Sequence, residues 1–435
     1  MSAGTPSSSG VSRPATRRDP ASVLLALVFV LLVVIPFLPA GKVQIRLFDT
    51  AILVMIYMIL SLGLNIVLGW VGLLDLGYVA FILIGVYTTA LLYASPLLQF
   101  PFGFLVVIAI AGLHCVLWGV IRGVPTLRLA GDYYAIVTFA FAEIVFTIIR
   151  NEVWLTGGPQ GFRDYPAPQA FWYALRHTDP STGASEVHNW ALGFAEGADK
   201  VPAVIGQRAV SPEQVVTTIG WGTAPMSPGG FGFYCLTLVL LAATIFVMVR
   251  LYNSRVGRAW LAINADETAA RSCGVHVNRY KMLAFGLSAF FGGVAGALMA
   301  WRNNIASPNT YDFWLSVIVL CCVVLGGIGS IRGVLMGALI LTTLGEALRD
   351  ALAWTSANFG WQWADQRLRF LFYGVVMIVI MIFRPQGLFP PGPRRERFST
   401  DDIPHLLRRP SRLFSLATQE HTGRRDTSAG DQPTS

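Results

Sequence analysis

The sequence predicts an all-α, polytopic membrane protein of about ten transmembrane helices, with both termini in the cytoplasm. Three observations carry that expectation. Of the 435 residues, 54% are hydrophobic and only 13% charged, with a mean hydropathy of +0.57, whereas soluble domains carry about 25% charged residues. Apolar blocks of 15 to 20 residues, nearly free of charge, recur from Val23 to Phe383, and most are long enough to cross a ~30 Å hydrocarbon core. The basic residues, three Lys and otherwise Arg, cluster in segments that flank these blocks, as the cytoplasmic bias of membrane proteins requires. A soluble enzyme, a disordered chain and a nucleic-acid binder are thereby excluded, despite the net charge of +8.

Residues 1–20, rich in Ser, Pro, Thr and Arg, read as a disordered cytoplasmic tail. Arg17-Arg18 ahead of Val23–Leu38 raises the question of a signal peptide. No A-x-A cleavage site follows and further spans come at once, so this first helix is read as uncleaved. The remaining spans are expected at 50–68, 79–94, 102–121, 133–150, 232–250, 283–301, 313–330, 334–351 and 369–384, within a permease domain of 21–390. With the N-terminus inside, the cytoplasmic segments are 122–132 (Arg122, Arg128), the loop 251–282 and a basic C-terminal tail, 391–435, that includes Arg394, Arg395, Arg397, Arg408 and Arg409. The long segment 151–231 falls outside, where acids outnumber bases. These signs agree with an even span count.

Between the second and third spans, Gly63, Gly69, Gly72 and Gly77 punctuate the stretch from Leu62 to Tyr78. Such a run at membrane depth predicts a broken or re-entrant helix, tolerated only where protein or a cavity surrounds it. In the basic loop, Asn264 reads as an N-cap with Glu267 three residues on, as in a capping box. Gly274 supplies a left-handed stop, and Arg271 suits the negative end of the helix dipole. A helix over 265–273 follows, near 13 Å long at ~1.5 Å per residue, with Ala269 and Ala270 leaving its flank bare. By physics alone, this is either a docking element or an ordinary loop helix packed on its own bundle.

The run Asp266-Glu-Thr-Ala-Ala-Arg-Ser-Cys-Gly-Val275, followed by Asn278-Arg-Tyr-Lys-Met-Leu-Ala-Phe285 and Ser288-Ala-Phe-Phe-Gly-Gly-Val-Ala-Gly296, closely resembles the LivM-type permeases of branched-chain amino-acid ABC importers. Four further islands, in the right order, are similar to the same family. They are Leu62 to Tyr87, Leu127 to Thr138 with Thr156-Gly-Gly-Pro-Gln-Gly161, Ser316 to Gly337, and Arg384-Pro-Gln-Gly-Leu388. The resemblance implies that the 251–282 loop holds the coupling helix gripped by an ATPase, through Asp266, Glu267, Ala269, Ala270 and Gly274. The general importer pattern is E-A-A-x-x-x-G. Here Ala269, Ala270 and Gly274 match, while the Glu stands one place early with Thr268 in its slot. The implied partners are a LivH-like second permease, two ATPase subunits and an extracytoplasmic substrate-binding protein, in a bacterial cytoplasmic membrane whose lipid surrounds the spans. Where the family usually has Ser and His, this chain has Asp75 and Tyr78, and an apparent insert lies between Phe162 and Pro228.

Candidate pathway residues are Asn65, Gly72, Asp75, Tyr78, Glu143, Gly326 and Gly327. Polar groups within spans are costly against lipid, so Asn65, Asp75 and Glu143 are expected to face the bundle interior or a wet cavity. Structural hydrogen bonding is their default role. The glycines at 326–333 are read as tight packing or a pathway break, not a nucleotide loop. Gly292-x-x-x-Gly296 and Gly296-x-x-x-Ala300 are expected to lie against a neighbouring helix. No Walker A is present, since the three Lys are followed by Val43, Val201 and Met282. ATP is therefore expected on partner subunits, with no cofactor in this chain. Five Cys, four of them inside apolar runs, form no disulfide framework or metal spacing. No nucleophilic set is visible, so no catalysis is expected. Alternatives left open are a urea or short-amide importer and, from another class, a secondary transporter.

Overall fold

A computed structural model of the chain describes Leu32, residues 42–94, 104–127, 132–163, 169–178, 185–189, 218–225, 231–359, 368–384 and 387–389. Among them, seven helices are long and apolar enough to cross a membrane: Leu47–Val71, Leu105–Thr126, Tyr133–Asn151, Gly232–Asn253, Val277–Asn303, Pro308–Gly326 and Ile331–Leu352. The membrane part is all-helical. Two further helices stand where spans were expected, α2 (Val79–Ala94) and α12 (Leu368–Phe383), with 16 residues each. At 1.5 Å per residue that is about 24 Å, short of a ~30 Å core. The expected tails 1–20 and 391–435, and all of the expected first span except Leu32, lie outside the described residues.

α1 (Lys42–Asn65) runs on into a π-helical turn, Ile66–Val71, that ends at Gly72 with φ +81°. Residues 72–78 are non-helical and lead into α2. The Gly-rich stretch is thus the broken helix its composition requires. α3 (Phe104–Thr126) and α4 (Asp132–Asn151) follow. Arg122 was expected in a cytoplasmic loop. It lies instead inside α3, 2% exposed, because Asp75 supplies a counter-charge there.

Beyond the short α5 (Val153–Thr156), the segment expected as an outer loop contains strands not anticipated from the sequence. β1 (Phe162–Arg163) pairs antiparallel with β5 (Ile305–Ala306), and β2 (Gln169–Thr178) lies between β3 (Ser185–Asn189) and β4 (Thr218–Pro225) in an antiparallel sheet. α6 (Phe231–Asn253) follows, one of the helices long and apolar enough to cross a membrane. α7 (Arg255–Ala265) and α8 (Glu267–Ser272) form the basic loop, and α9 (Val277–Asn303) is the central pillar, most of its length buried. Small residues make that burial possible. A Cβ on Gly296 would stand 2.4 Å from the Ile82 carbonyl oxygen, and one on Gly85 2.5 Å from that of Gly293. The glycine face of α9 therefore lies directly on α2, as its spacing predicted, and backbones in close contact are how membrane helices associate. α10 (Phe313–Gly326) and α11 (Ile331–Phe359) complete the bundle around a second non-helical break at 327–330.

Candidate functional site

The two helix breaks meet. Asn65, at the end of α1, accepts a hydrogen bond on Oδ1 from the Gly329 backbone N–H at 2.9 Å, and Trp70 Nε1 donates to the Gly329 carbonyl at 3.2 Å. Gly69 has no room for a side chain, since its Cβ would stand 2.5 Å from the Gly329 nitrogen. The Asn65 Nδ2 is buried with no acceptor among the described residues. On the other side of the second break, the backbone N–H groups of Leu388 and Phe389 donate to the carbonyls of Leu325 and Gly326 at 2.9 and 3.0 Å. Gly327 (φ +118°) and Gly387 (φ +81°) come so close that a Cβ on the latter would be 2.5 Å from the Gly327 Cα. Breaks leave backbone groups unpaired, and each such group inside a membrane must find a partner. Here the breaks satisfy one another.

The end of α7 reaches the first break. Asn264, at the end of α7, donates from Nδ2 to the Gly69 carbonyl at 3.3 Å, and a Cβ on Gly72 would strike its Oδ1 at 2.1 Å. The Trp260 ring lies 6.0 Å from that of Trp70 at 23° between planes, and Trp260 Nε1 donates to the Tyr280 carbonyl at 2.7 Å. Asn264 is therefore not the helix cap expected from the sequence, because its side chain is used on the membrane break. The cap is Asp266, in extended conformation (φ −160°, ψ 114°), with Oδ1 accepting from the N–H groups of Thr268 at 2.7 Å and Ala269 at 3.0 Å. α8 is accordingly six residues, not nine.

Glu267 does not reach back to Asn264 as a capping box requires. It binds forward, accepting from Lys281 Nζ at 2.6 Å and Arg271 at 2.8 Å. Lys281 stands near the base of α9 and is 4% exposed, so this pair ties α8 to the central pillar. Gly274 (φ +85°) ends α8 in a Schellman arrangement. The Val275 N–H donates to the Ala270 carbonyl and the Gly274 N–H to the Arg271 carbonyl, both at 3.1 Å. Ala269 is exposed, while Ala270 is turned inward and 5% exposed, so only one of the two leaves the flank bare.

Asp75 is not free to meet a solute. Arg122 binds it with both terminal nitrogens, at 2.9 and 2.7 Å, and the Gly77 N–H donates to its Oδ1 at 3.0 Å. Three phenylalanine rings surround the guanidinium, with centroids at 4.5 Å (Phe81), 5.8 Å (Phe285) and 5.9 Å (Phe141). Tyr78, fully buried, donates to the Ser288 carbonyl at 3.3 Å and fills the space opposite Gly63. Glu143 is exposed on α4 and faces away from the chain's own interior, so of the two settings expected for it the bundle interior is not the one it occupies. Of the seven pathway candidates, Asn65, Gly326 and Gly327 gather at the paired breaks and Gly72 at the Asn264 contact. Asp75 and Tyr78 belong to buried clusters, and Glu143 stands apart. Sequence reasoning missed Trp70, Trp260 and Lys281, whose partners are distant in the chain.

Residues 46–381 match the family described as branched-chain amino acid transport system / permease component. The high-affinity branched-chain amino acid transport system permease protein LivM of Escherichia coli K12 is 37% identical over 342 residues, which cover 79% of this chain and 69% of that protein. The chain belongs to this permease family. LivM of Salmonella typhimurium is 36% identical over the same shares. The L-arabinose transport system permease protein AraH of Escherichia coli is 34% identical over 123 residues, 27% of this chain and 38% of that protein. No solved structure matches. The chain is thus a multi-pass permease of the bacterial inner membrane, a transport subunit and not an enzyme, in a family whose ATP is bound by partner subunits.

Proposed function

We propose that this permease is one half of an ABC importer that moves Leu, Ile or Val into the cytoplasm. It works beside a LivH-like second permease, with two ATPases below and a binding protein outside. Both termini lie in the cytoplasm, and the spans number ten. The observation that carries the reading is the continuity from α8 to the helix breaks. α8 is capped at one end by Asp266, stopped at the other by Gly274 and held to α9 through Glu267–Lys281. Two residues ahead of Asp266, Asn264 bonds the first break, and Asn65 and Trp70 bond the first break to the second.

In this reading, Asp266, Glu267, Ala269, Ala270 and Gly274 build the ATPase-coupling element, while Asn65, Gly72, Gly326 and Gly327 form the part of the wall that moves. ATP binding draws the ATPases together and carries α8 with them. The switch is driven only by the difference in contact that α8 makes with the two ATPase states. Ala270→Pro tests this directly. Proline removes the N–H that donates to the Asp266 carbonyl at 3.0 Å and cannot occupy an α8 interior. The expected outcome is protein at wild-type level in the membrane, with ATP-driven uptake of radiolabelled leucine abolished. Normal uptake by that variant refutes the coupling role.

A further inference from the structure

α4 is amphipathic in an unusual sense. Its inner edge, formed by Tyr134, Thr138, Ala142, Val145 and Ile149, is buried against the bundle, yet only 33% of the span Tyr133–Asn151 is buried overall. The opposite edge carries Ile136, Phe139, Ala140, Glu143 and Thr147, all exposed. Glu143 stands ten residues from one end of the span and eight from the other, about 12–15 Å from either end at 1.5 Å per residue. That is mid-depth in a bilayer. No ion pair or hydrogen bond reaches its carboxylate among the described residues. Arg150, seven positions on and about 10 Å along the axis, makes no ion pair with it. The other charge pair nearby, Asp75–Arg122, is internally satisfied and buried. By contrast, the exposed residues of α3, such as Leu113, Leu117 and Val120, are apolar and suited to lipid.

An ionisable side chain at this depth faces water or a counter-charge, not hydrocarbon. We infer that the Glu143 edge of α4 lines the transport pathway, where its carboxylate receives the α-ammonium group of the amino-acid cargo. This rests on the importer reading above and assigns the recognition element within it. The chemistry of the edge matches the cargo class in both parts. The carboxylate complements the ammonium, and the flanking Ile136, Phe139 and Ile144 offer an apolar surface to a branched aliphatic side chain.

The test uses the full transporter, with second permease, ATPases and binding protein, in lipid vesicles. Glu143→Cys and Leu117→Cys are each labelled with a positively charged, membrane-impermeant methanethiosulfonate, against the unsubstituted chain, whose exposed Cys273 sets the background. Labelling at 143 is expected at least tenfold faster than at 117 and slowed by leucine-loaded binding protein; equal rates overturn the inference. In parallel, Glu143→Gln is expected to leave the subunits assembled and ATP hydrolysis running while leucine uptake falls at least tenfold. Wild-type uptake by Glu143→Gln overturns the inference, and so does dissociation of the complex, which makes the carboxylate an interface charge. If the unsubstituted complex imports no amino acid, the importer reading fails instead, and the labelling result still reports whether this edge meets water.

Discussion

The Asp75–Arg122 pair gives the sharpest test of how this fold is held together. Both side chains are essentially inaccessible, at 0–1% exposure, and the contact is bidentate. Removing one partner of such a pair strands a charge, at a cost of about 3–5 kcal/mol, whereas removing both is often close to neutral. Arg122→Met leaves the carboxylate with a single hydrogen bond, from the Gly77 N–H. Asp75→Asn leaves the guanidinium among three aromatic faces, and each offers about 0.5–2 kcal/mol to a desolvated cation. Arg122→Met should therefore be the more damaging single change, and the double variant should recover most of the loss.

The buried thiols make the measurement simple. Cys115, Cys321 and Cys322 are shielded in the folded chain, so a thiol-reactive fluorophore reports thermal unfolding in detergent above the baseline of exposed Cys273. At about 2–4 °C per kcal/mol for chains beyond 150 residues, a cost of about 3–5 kcal/mol means that Arg122→Met should lower Tm by roughly 6–20 °C. A fall below about 2 °C, or a double variant no better than the worse single one, refutes the view that this pair locks the segment after the first break onto α3.

Two further outcomes follow from the contacts of α7 and the first break. Asn264→Ala deletes the bond to the Gly69 carbonyl without touching α8, so ATPase subunits should still co-purify while uptake per ATP hydrolysed falls about tenfold; an unchanged ratio removes Asn264 from the transmission path. Gly69→Ala places a methyl group 2.2 Å from Asn65 Oδ1 and 2.5 Å from the Gly329 nitrogen, and overpacking of this kind costs about 1–3 kcal/mol; an unshifted Tm in the same thiol assay shows that the breaks separate freely.

Period and composition made the membrane helices legible, because a long charge-free run has few other uses. Every expected span from 50–68 onward coincides with a described helix, and the broken helix was legible from glycine spacing alone. The Gly274 stop was equally plain, since positive φ selects glycine. What failed was local reasoning about polar side chains whose partners are far away in sequence. Asn264 is a good N-cap in isolation, yet Asp266 sits in the extended geometry that capping needs, and Asn264 is drawn off by a backbone carbonyl 195 positions distant. Arg122 reads as a loop charge until Asp75 is placed beside it. The strands in the segment expected outside escaped notice, although Asp179-Pro-Ser-Thr-Gly183 between β2 and β3 carries the Pro and Gly of a turn.

In the proposed importer, a displacement of α8 reaches the membrane only if the joins along the way resist more strongly than the breaks do. Three of those joins are side-chain-to-backbone bonds: Asn264 to Gly69, Asn65 to Gly329, and Trp70 to Gly329. Each contributes about 1 kcal/mol, so any one can exchange partners without dismantling a helix. The fixed parts are of a different kind. α9 is held by backbones in contact through glycine, a packing that cannot stretch without opening voids. Trp70 is the residue that bridges the two regimes, since it stacks on Trp260 of α7 and donates to the second break. Under the proposed coupling role, a rigid pillar with exchangeable polar joins beside it would let α8 move the breaks and leave the bundle intact.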